Sequence, residues 1–447
     1  MTANNRHYWF KSGSYALIMN IQGLFFGFGS FYLLVRMLSK HQFGIWALFV
    51  ATTTIFDMAR SGLIQNALIK FLSSHSTEKE RSDIISASFF LSGVSMLVCI
   101  IINISLANYL AGLWHEESVA TMFYLYNIVY VLQGILSQFQ WIEQANLSFK
   151  GILITNAIKQ GGFFCYVLIC FVFHIKIFLV NLIYAQALFA FLGALLEYFF
   201  VKNHFSYSLK INMTWVKKLF NYGKFVFGTS ISSILATTIN QLTLGALLTP
   251  EAAGVFNVAG RVANLVDIPT TALSSIVFPQ SAKRSVNDGK LYVKYLYEKS
   301  VGTLLALIIP FLLFLFVFPV FVIDIVAGSN YSDSSAVLQV TIVACIFNPF
   351  SLMFGTILDS VGRPKVNFIV IVLFTAVKLF LNFLLIERYG IMGAAYATLI
   401  ADAIFFIVQT IILRNEFDVN PFYTLIYAIR FYPEFFNNYI KPRLRNQ

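Results

Sequence analysis

The chain has 447 residues, of which 58% are hydrophobic and 11% charged, with a mean hydropathy of +0.75. Soluble domains carry about 25% charged residues, and no region here is long and polar enough to form a separate soluble domain. The net charge of +11 does not mark a nucleic-acid binder, because most Lys and Arg sit in short loops between apolar runs, where membrane topology needs them.

The first apolar run begins after Lys11. It is too long for a signal-peptide core and no small-residue cleavage site follows, so it is expected to be a retained first helix. A spanning helix needs about 20 mostly apolar residues. Twelve segments qualify: 15–38, 44–69, 84–109, 119–142, 151–173, 177–200, 225–248, 252–281, 301–325, 336–360, 366–385 and 391–413. The eighth and ninth carry Pro269 and Pro310, which predicts kinks. With both termini cytoplasmic, 23 of the 31 Lys and Arg fall in inside segments, 4 in outside loops and 4 within spans, as the positive-inside rule expects. The outside loops are all short. The inside stretch 204–224, with Trp215, Lys217 and Lys218, and the tail 414–447, with Phe422, Tyr427, Phe431 and Tyr432, are amphipathic and expected at the membrane surface.

Sliding the chain on itself by 210 positions aligns Gly13 with Gly223, Gly44 with Gly254 and Asp57 with Asp267, and a similar offset places Tyr184-Ala185 over Tyr396-Ala397. The expected fold is therefore an all-α polytopic membrane protein of about 12 transmembrane helices. Two six-helix lobes, 1–203 and 225–413, are related by pseudo-two-fold symmetry, joined by a cytoplasmic linker at 204–224 and followed by a cytoplasmic tail at 414–447.

Seven charges lie inside the apolar runs: Asp57, Arg60, Lys159, Arg261, Asp267, Lys378 and Asp402. A charge at the centre of a span costs roughly 2.5–3.5 kcal/mol on insertion scales and usually faces an interior. Four cations against three carboxylates predict a polar, slightly basic cavity, which is a transporter's signature. Asp57 and Arg60 share a face at i, i+3; they form either an intrahelical pair that eases insertion or a substrate-binding Arg60 with Asp57 as its partner or as a protonatable group. Lys159 sits with Asn156 and Gln160, Arg261 with Asn257 and Asn264, and Thr237, Asn240 and Gln241 form a further patch. Such polar patches either join helices or line a lumen. Lys378 and Asp402 lie on adjacent spans, where a salt bridge is the plain alternative to a functional role. Glu143, Glu197, Asp324 and Asp359 lie near span ends and are expected to be solvated, and Gly23, Gly27 and Gly29 suit close helix contact.

Cys99, Cys165, Cys170 and Cys345 all lie in apolar runs and read as small core hydrophobes. No nucleophile–base arrangement, metal-ligand spacing or Walker A motif emerges, so no catalytic residue, metal, cofactor or bound ATP is expected. Transport is expected to be passive, or driven by an ion gradient or by consumption of substrate on the far side.

Three stretches carry a family resemblance: SGLIQNALIKFLS (61–73), EAAGVFNVAGRVANLVDIPTTALSSIVFPQSAK (251–283), and GRPKVNFIVIV (362–372) followed by YGIMGAAYATLIAD (389–402). They resemble the polysaccharide flippases of the superfamily that also contains the multidrug and toxin extrusion transporters. Arg60 departs from the pattern, since many members carry Asp there, so an acidic role at that position is not carried over. The resemblance implies a bacterial inner-membrane flippase for a polyprenyl-diphosphate-linked oligosaccharide used in O-antigen, capsule or exopolysaccharide synthesis. Membrane lipids, and glycan polymerases and glycosyltransferases, are its implied partners. Arg60, Lys159, Arg261 and Lys378 fit an anionic substrate, while Asp57, Asp267 and Asp402 are candidates for coupling protons or Na⁺. The rival readings are a cation-coupled multidrug-type antiporter of the same fold and a non-transporting scaffold for glycan-assembly enzymes.

Overall fold

A chain crossing hydrocarbon must satisfy its backbone hydrogen bonds internally, and for a single span the helix does so. In the computed structural model, which describes residues 3–74, 77–208 and 210–435, every element among the described residues is helical. The chain divides into two compact units, Met1–Leu235 and Ala236–Gln447.

The first unit contains α1 (Ala3–Met37), α2 (Lys40–Ser74), α3 (Glu78–Leu113) and α4 (Ser118–Ala145). The fifth span is α5 (Lys150–Asn156), a π turn at Ala157–Gly161, and α6 (Gly162–Val172). Next come α7 (Leu179–Val201) and the first part of α8 (Met213–Leu247). One end of this unit is knit by buried side chains of five helices, including Ile64 and Leu68 of α2, Ile84 of α3, Ile142 of α4, Val201 of α7, and Trp215 and Leu219 of α8. The stretch expected as a separate surface linker thus supplies the first turns of α8, with Trp215 packed edge-on against Phe71 and Lys218 over the indole at 4.1 Å.

The second unit continues with α9 (Pro250–Ala263), a 3-10 turn at Asn264–Val266 and α10 (Asp267–Val317). Then follow α11 (Pro319–Val326), a 3-10 turn at Ser329–Tyr331, α12 (Ser334–Cys345), α13 (Asn348–Ser360), α14 (Pro364–Tyr389), α15 (Ile391–Phe417) and α16 (Pro421–Phe435). Thr249 starts α9 by accepting the Ala252 N–H at 3.3 Å, with Pro250 at the first helical position.

Among the described residues, ten helical segments are long and apolar enough to cross a membrane. The expected seventh span is diluted by Thr237, Thr238, Asn240 and Gln241, and the expected eighth is broken at Asn264–Val266. The expected tenth is likewise two helices, interrupted just before Pro349, whose ring leaves no N–H to continue the ladder. Although α10 is helical throughout, its partners on α13 show that it doubles back. Ser274 contacts Thr356 and Ser281 contacts Ser360, both at 2.7 Å, whereas Tyr297 donates to the Phe350 carbonyl at 3.4 Å. A straight helix at 1.5 Å per residue would carry Tyr297 about 24 Å past Ser281. The eighth and ninth spans are therefore two arms flanking α13.

The tail is more firmly held than a surface helix. Glu298, 3% exposed, accepts the Asn420 N–H at 2.9 Å, and Tyr432 donates to the Ala306 carbonyl at 2.7 Å. The remaining tail, 436–447, lies outside the described residues. Cys99, Cys170 and Cys345 are buried, but Cys165 is exposed. Of the glycines expected at close helix contacts in α1, Gly29 meets Phe164 closely and Gly23 approaches Gln160, while Gly27 meets nothing within 4 Å; Gly13, also on α1, falls outside the residues whose packing is described.

Candidate functional site

The most developed polar constellation of the first unit lies where α2 faces α4. Arg60 is 3% exposed, yet its guanidinium makes one hydrogen bond, Nη2 to Ser137 Oγ at 3.4 Å, and one ion pair, to Asp57 Oδ1 at 3.5 Å. Nε and Nη1 are buried without a hydrogen-bond partner among the described residues. The rings of Tyr130 and Trp141 each lie 5.6 Å from Cζ, offering cation–π stabilisation. Tyr126 donates to Asp57 Oδ2 at 3.0 Å, and Tyr130 donates to the Phe56 carbonyl at 3.1 Å. Gly134 lies beside this side chain, and an added Cβ there would meet Met96 Sδ at 2.5 Å and stand in ordinary contact, 3.8 Å, with Nη1. The sequence reading missed Tyr126, Tyr130, Ser137 and Trp141. Their spacing of 4, 7 and 4 keeps them within about 60° on one helical face, and that was the available signal.

Lys159 and Gln160 are half-buried within the π turn, a form found often at functional sites. Asn156, just before it, accepts from Gln140 Nε2 at 3.1 Å, and so does Thr155. This network leads to the carboxyls expected to be solvated at span ends, and that expectation is corrected for two of them. Glu143 is 2% and Glu197 0% exposed. The chain turns back at Ser148–Lys150 so that Glu143 receives the first N–H groups of α5: Gly151 at 3.0 Å and Ile152 at 2.9 Å, with the Ser148 hydroxyl at 2.6 Å. A helix N-terminus suits a carboxylate. Glu197 accepts the Thr155 hydroxyl at 2.7 Å, and its Oε1 has no hydrogen-bond partner among the described residues. Asp324 and Asp359 are exposed, as expected.

In the second unit the patches separate. Lys378, 7% exposed, donates to the Ala236 carbonyl at 3.1 Å and lies 5.5 Å from the Phe374 ring. It makes no ion pair with Asp402 among the described residues, so the plain salt-bridge alternative does not hold. Asn382 donates to Asn240 at 2.8 Å and to the Lys378 carbonyl at 3.0 Å, and Asn240 donates to Thr398 at 2.6 Å. Gln241 accepts from Asn257 at 2.9 Å. Arg261 and Asn264 are exposed at the end of α9 and in the 3-10 turn, while Asp402 is half-buried on α15.

The two aspartates aligned in the repeat are alike in one respect. Asp57 accepts from Tyr126 on the fourth span, and Asp267 accepts from Asn348 at 3.0 Å, on α13 in the corresponding tenth. Their helices differ, since Asp57 lies inside unbroken α2 and Asp267 opens α10 after a 3-10 turn. Ala185 and Ala397 are both buried beside exposed Tyr184 and Tyr396.

Comparison with known proteins bears on both fold and family. Residues 33–336 match the model of a family described as polysaccharide biosynthesis protein. A probable low-salt glycan biosynthesis flippase of Haloferax volcanii, Agl15, is 28% identical over 188 residues, 42% of this chain; the chain spans only 40% of that relative's length. The lipopolysaccharide biosynthesis protein WzxC of Escherichia coli is 23% identical over 389 residues, covering 85% of this chain and 74% of WzxC. Among solved structures, the lipid II flippase MurJ in an inward closed conformation superposes with a TM-score of 0.76 at 14% identity, covering 97% of this chain and 93% of MurJ. That likeness shows a shared fold.

Proposed function

Because the chain belongs to the family of polysaccharide biosynthesis proteins, we propose that it is a flippase. Its substrate is a polyprenyl-diphosphate-linked oligosaccharide, carried across the bacterial inner membrane by alternating access for O-antigen, capsule or exopolysaccharide synthesis. The observation that carries this reading is Arg60. A buried cation with two unpartnered nitrogens pays a desolvation penalty that its one ion pair does not offset, and a diphosphate or acidic sugar drawn to the site supplies the missing acceptors. The planar fork of Arg matches phosphate oxygens bidentately. Lys159, Arg261 and Lys378 are proposed as further anion-attracting positions, and Asp57, Asp267 and Asp402 as coupling or partner groups. The relative named as a probable glycan biosynthesis flippase, the lipopolysaccharide biosynthesis relative WzxC and the fold shared with MurJ support the same reading.

The test is complementation of a deletion strain. Arg60→Ala is expected to abolish surface glycan while membrane protein level stays unchanged, with Arg60→Lys intermediate. Normal surface glycan from Arg60→Ala, Lys159→Ala and Arg261→Ala alike sinks the assignment. Hypersensitivity of the deletion strain to cationic dyes with normal glycan supports the antiporter instead.

A further inference from the structure

The seam between α1 and α6 in the first unit carries two adjoining cavities. One, of about 500 Å³, is lined by apolar side chains including Leu24, Phe25, Phe28, Phe164 and Leu168. The other, of about 320 Å³, lies where both helices end and is lined by Arg36, His174 and Lys176, with Phe171 and Ile177. Tyr32 joins them: it lines the apolar trough while Arg36 Cζ stands 4.4 Å from its ring centroid. Within the trough Gly29 lets α1 close on Phe164, where an added Cβ would meet the ring at 2.7 Å. Beside the trough α1 packs on the π turn, for Phe26 lies on Gly161 and Gly23 approaches Gln160 Oε1.

The charge at the mouth stands out against topology. Under the charge distribution, this mouth is on the outer side, where only 4 of the 31 Lys and Arg occur: Arg36, Lys40, Lys176 and Arg388. Orientation disfavours cations there, yet two of the four meet at one cavity with a histidine beside them. A long apolar trough ending in paired permanent cations is complementary to a hydrocarbon chain ending in a multiply charged anion. A headgroup with a single phosphate leaves one cation unmatched.

We infer that this seam is an outer-face holding site for the flipped product, with the diphosphate at Arg36, Lys176 and His174 and the first isoprene units in the trough. The inference rests on the flippase reading above. The trough runs along α6, which follows directly on the π turn that carries Lys159, a position proposed for the substrate, so the seam is where the lipid diphosphate rests before it leaves.

The experiment uses the full chain in nanodiscs and a polyprenyl diphosphate bearing a photoreactive group in its second isoprene unit, followed by peptide mapping. The wild type is expected to be labelled within 21–33 and 162–172. The Arg36→Gln/Lys176→Gln double variant should lose at least about tenfold of that labelling, as expected for losing charge-assisted phosphate contacts. Lys40→Gln/Arg388→Gln, which removes the same charge elsewhere on the outer side, should keep it. Leu168→Trp fills the trough with both cations intact and should also reduce labelling, so misfolding of one variant does not decide the matter. Equal labelling of Arg36→Gln/Lys176→Gln overturns the inference, as does displacement by phosphatidylglycerol as efficient as by unlabelled polyprenyl diphosphate, which marks an ordinary phospholipid site. Labelling confined to other peptides removes this site and leaves the flippase reading standing. No labelling anywhere removes both.

Discussion

Gly223→Ala is the sharpest packing test the molecule offers. Gly223 on α8 faces α2 at its backbone, and an ideal Cβ there would lie 1.8 Å from the Leu63 carbonyl oxygen and 2.8 Å from its carbonyl carbon. Real Cβ atoms essentially never come within 3.0 Å, so the two helices must part locally by about 1.2 Å, the difference between 3.0 and 1.8 Å. No side chain can rotate away, because the obstacle is main chain. Overpacking of this kind costs about 1–3 kcal/mol. A gap of that size also forfeits much of the dispersion contact around it, which places the cost at the upper end. For a unit of some 200 residues, about 2–4 °C is lost per kcal/mol, so a penalty of about 2–3 kcal/mol reads as roughly 4–12 °C. The assay is thermal unfolding of the detergent-solubilised protein followed by size-exclusion fluorescence. Gly27→Ala is the paired control, since an added methyl there meets nothing within 4 Å and replaces a helix-interior glycine, worth about 0.5–1 kcal/mol of stabilisation. If Gly223→Ala melts with the wild type, the close approach of α2 and α8 is refuted.

Three further outcomes are expected. Gly390→Ala isolates backbone strain, because φ is +59° and ψ −136° with open space around the position; it should cost of order 1–3 kcal/mol, and an unchanged melting temperature would contradict that conformation. Glu197→Gln keeps an acceptor for the Thr155 hydroxyl and should stay within about 1 kcal/mol of wild type, whereas Glu197→Ala should lose about 2 kcal/mol or more from the cavity it leaves; equal losses would count against the buried packing of this side chain on Thr155. Tyr126→Phe removes the donor to Asp57 Oδ2, a bond to a charged group worth about 1.5–3 kcal/mol, and is expected to lower surface glycan at unchanged protein level, with a wild-type glycan profile arguing that Asp57 needs no orienting partner.

Spans and charge asymmetry were legible because hydrocarbon imposes length and composition on every crossing segment. The resemblance motifs acquire physical reasons in the structure. Gly62 of the first stretch has Ser230 2.9 Å from where a Cβ would be. Gly362 takes φ +83° just before Pro364 opens α14. Gly390 turns the chain into α15, Gly393 lies against the Leu385 backbone, and Ala394, Ala395 and Ala397 are fully buried. What composition did not reveal was pairing across helices. Nothing local marks Ala236 as the acceptor for Lys378, 142 positions away, and proximity to a span end suggested solvation for Glu143 and Glu197 because burial by a returning turn depends on tertiary packing.

The π turn at Ala157–Gly161 has a consequence in the phase of the fifth span. An α-helix advances about 100° per residue, and a π turn absorbs one residue more than α pairing allows, so α6 presents a face offset from the one an unbroken helix would present. That offset is what aims Phe164 at Gly29. Removing one residue from the turn would let α pairing run through it with α6 in its present phase, whereas α pairing through the turn at unchanged length would swing α6 by about 100°, turning Phe164 off Gly29 and closing the trough without changing a residue that lines it. Relatives shorter here by one residue would therefore keep the same face of the fifth span towards α1, while relatives of equal length whose fifth span is α-helical throughout would present another, a change that no substitution matrix registers.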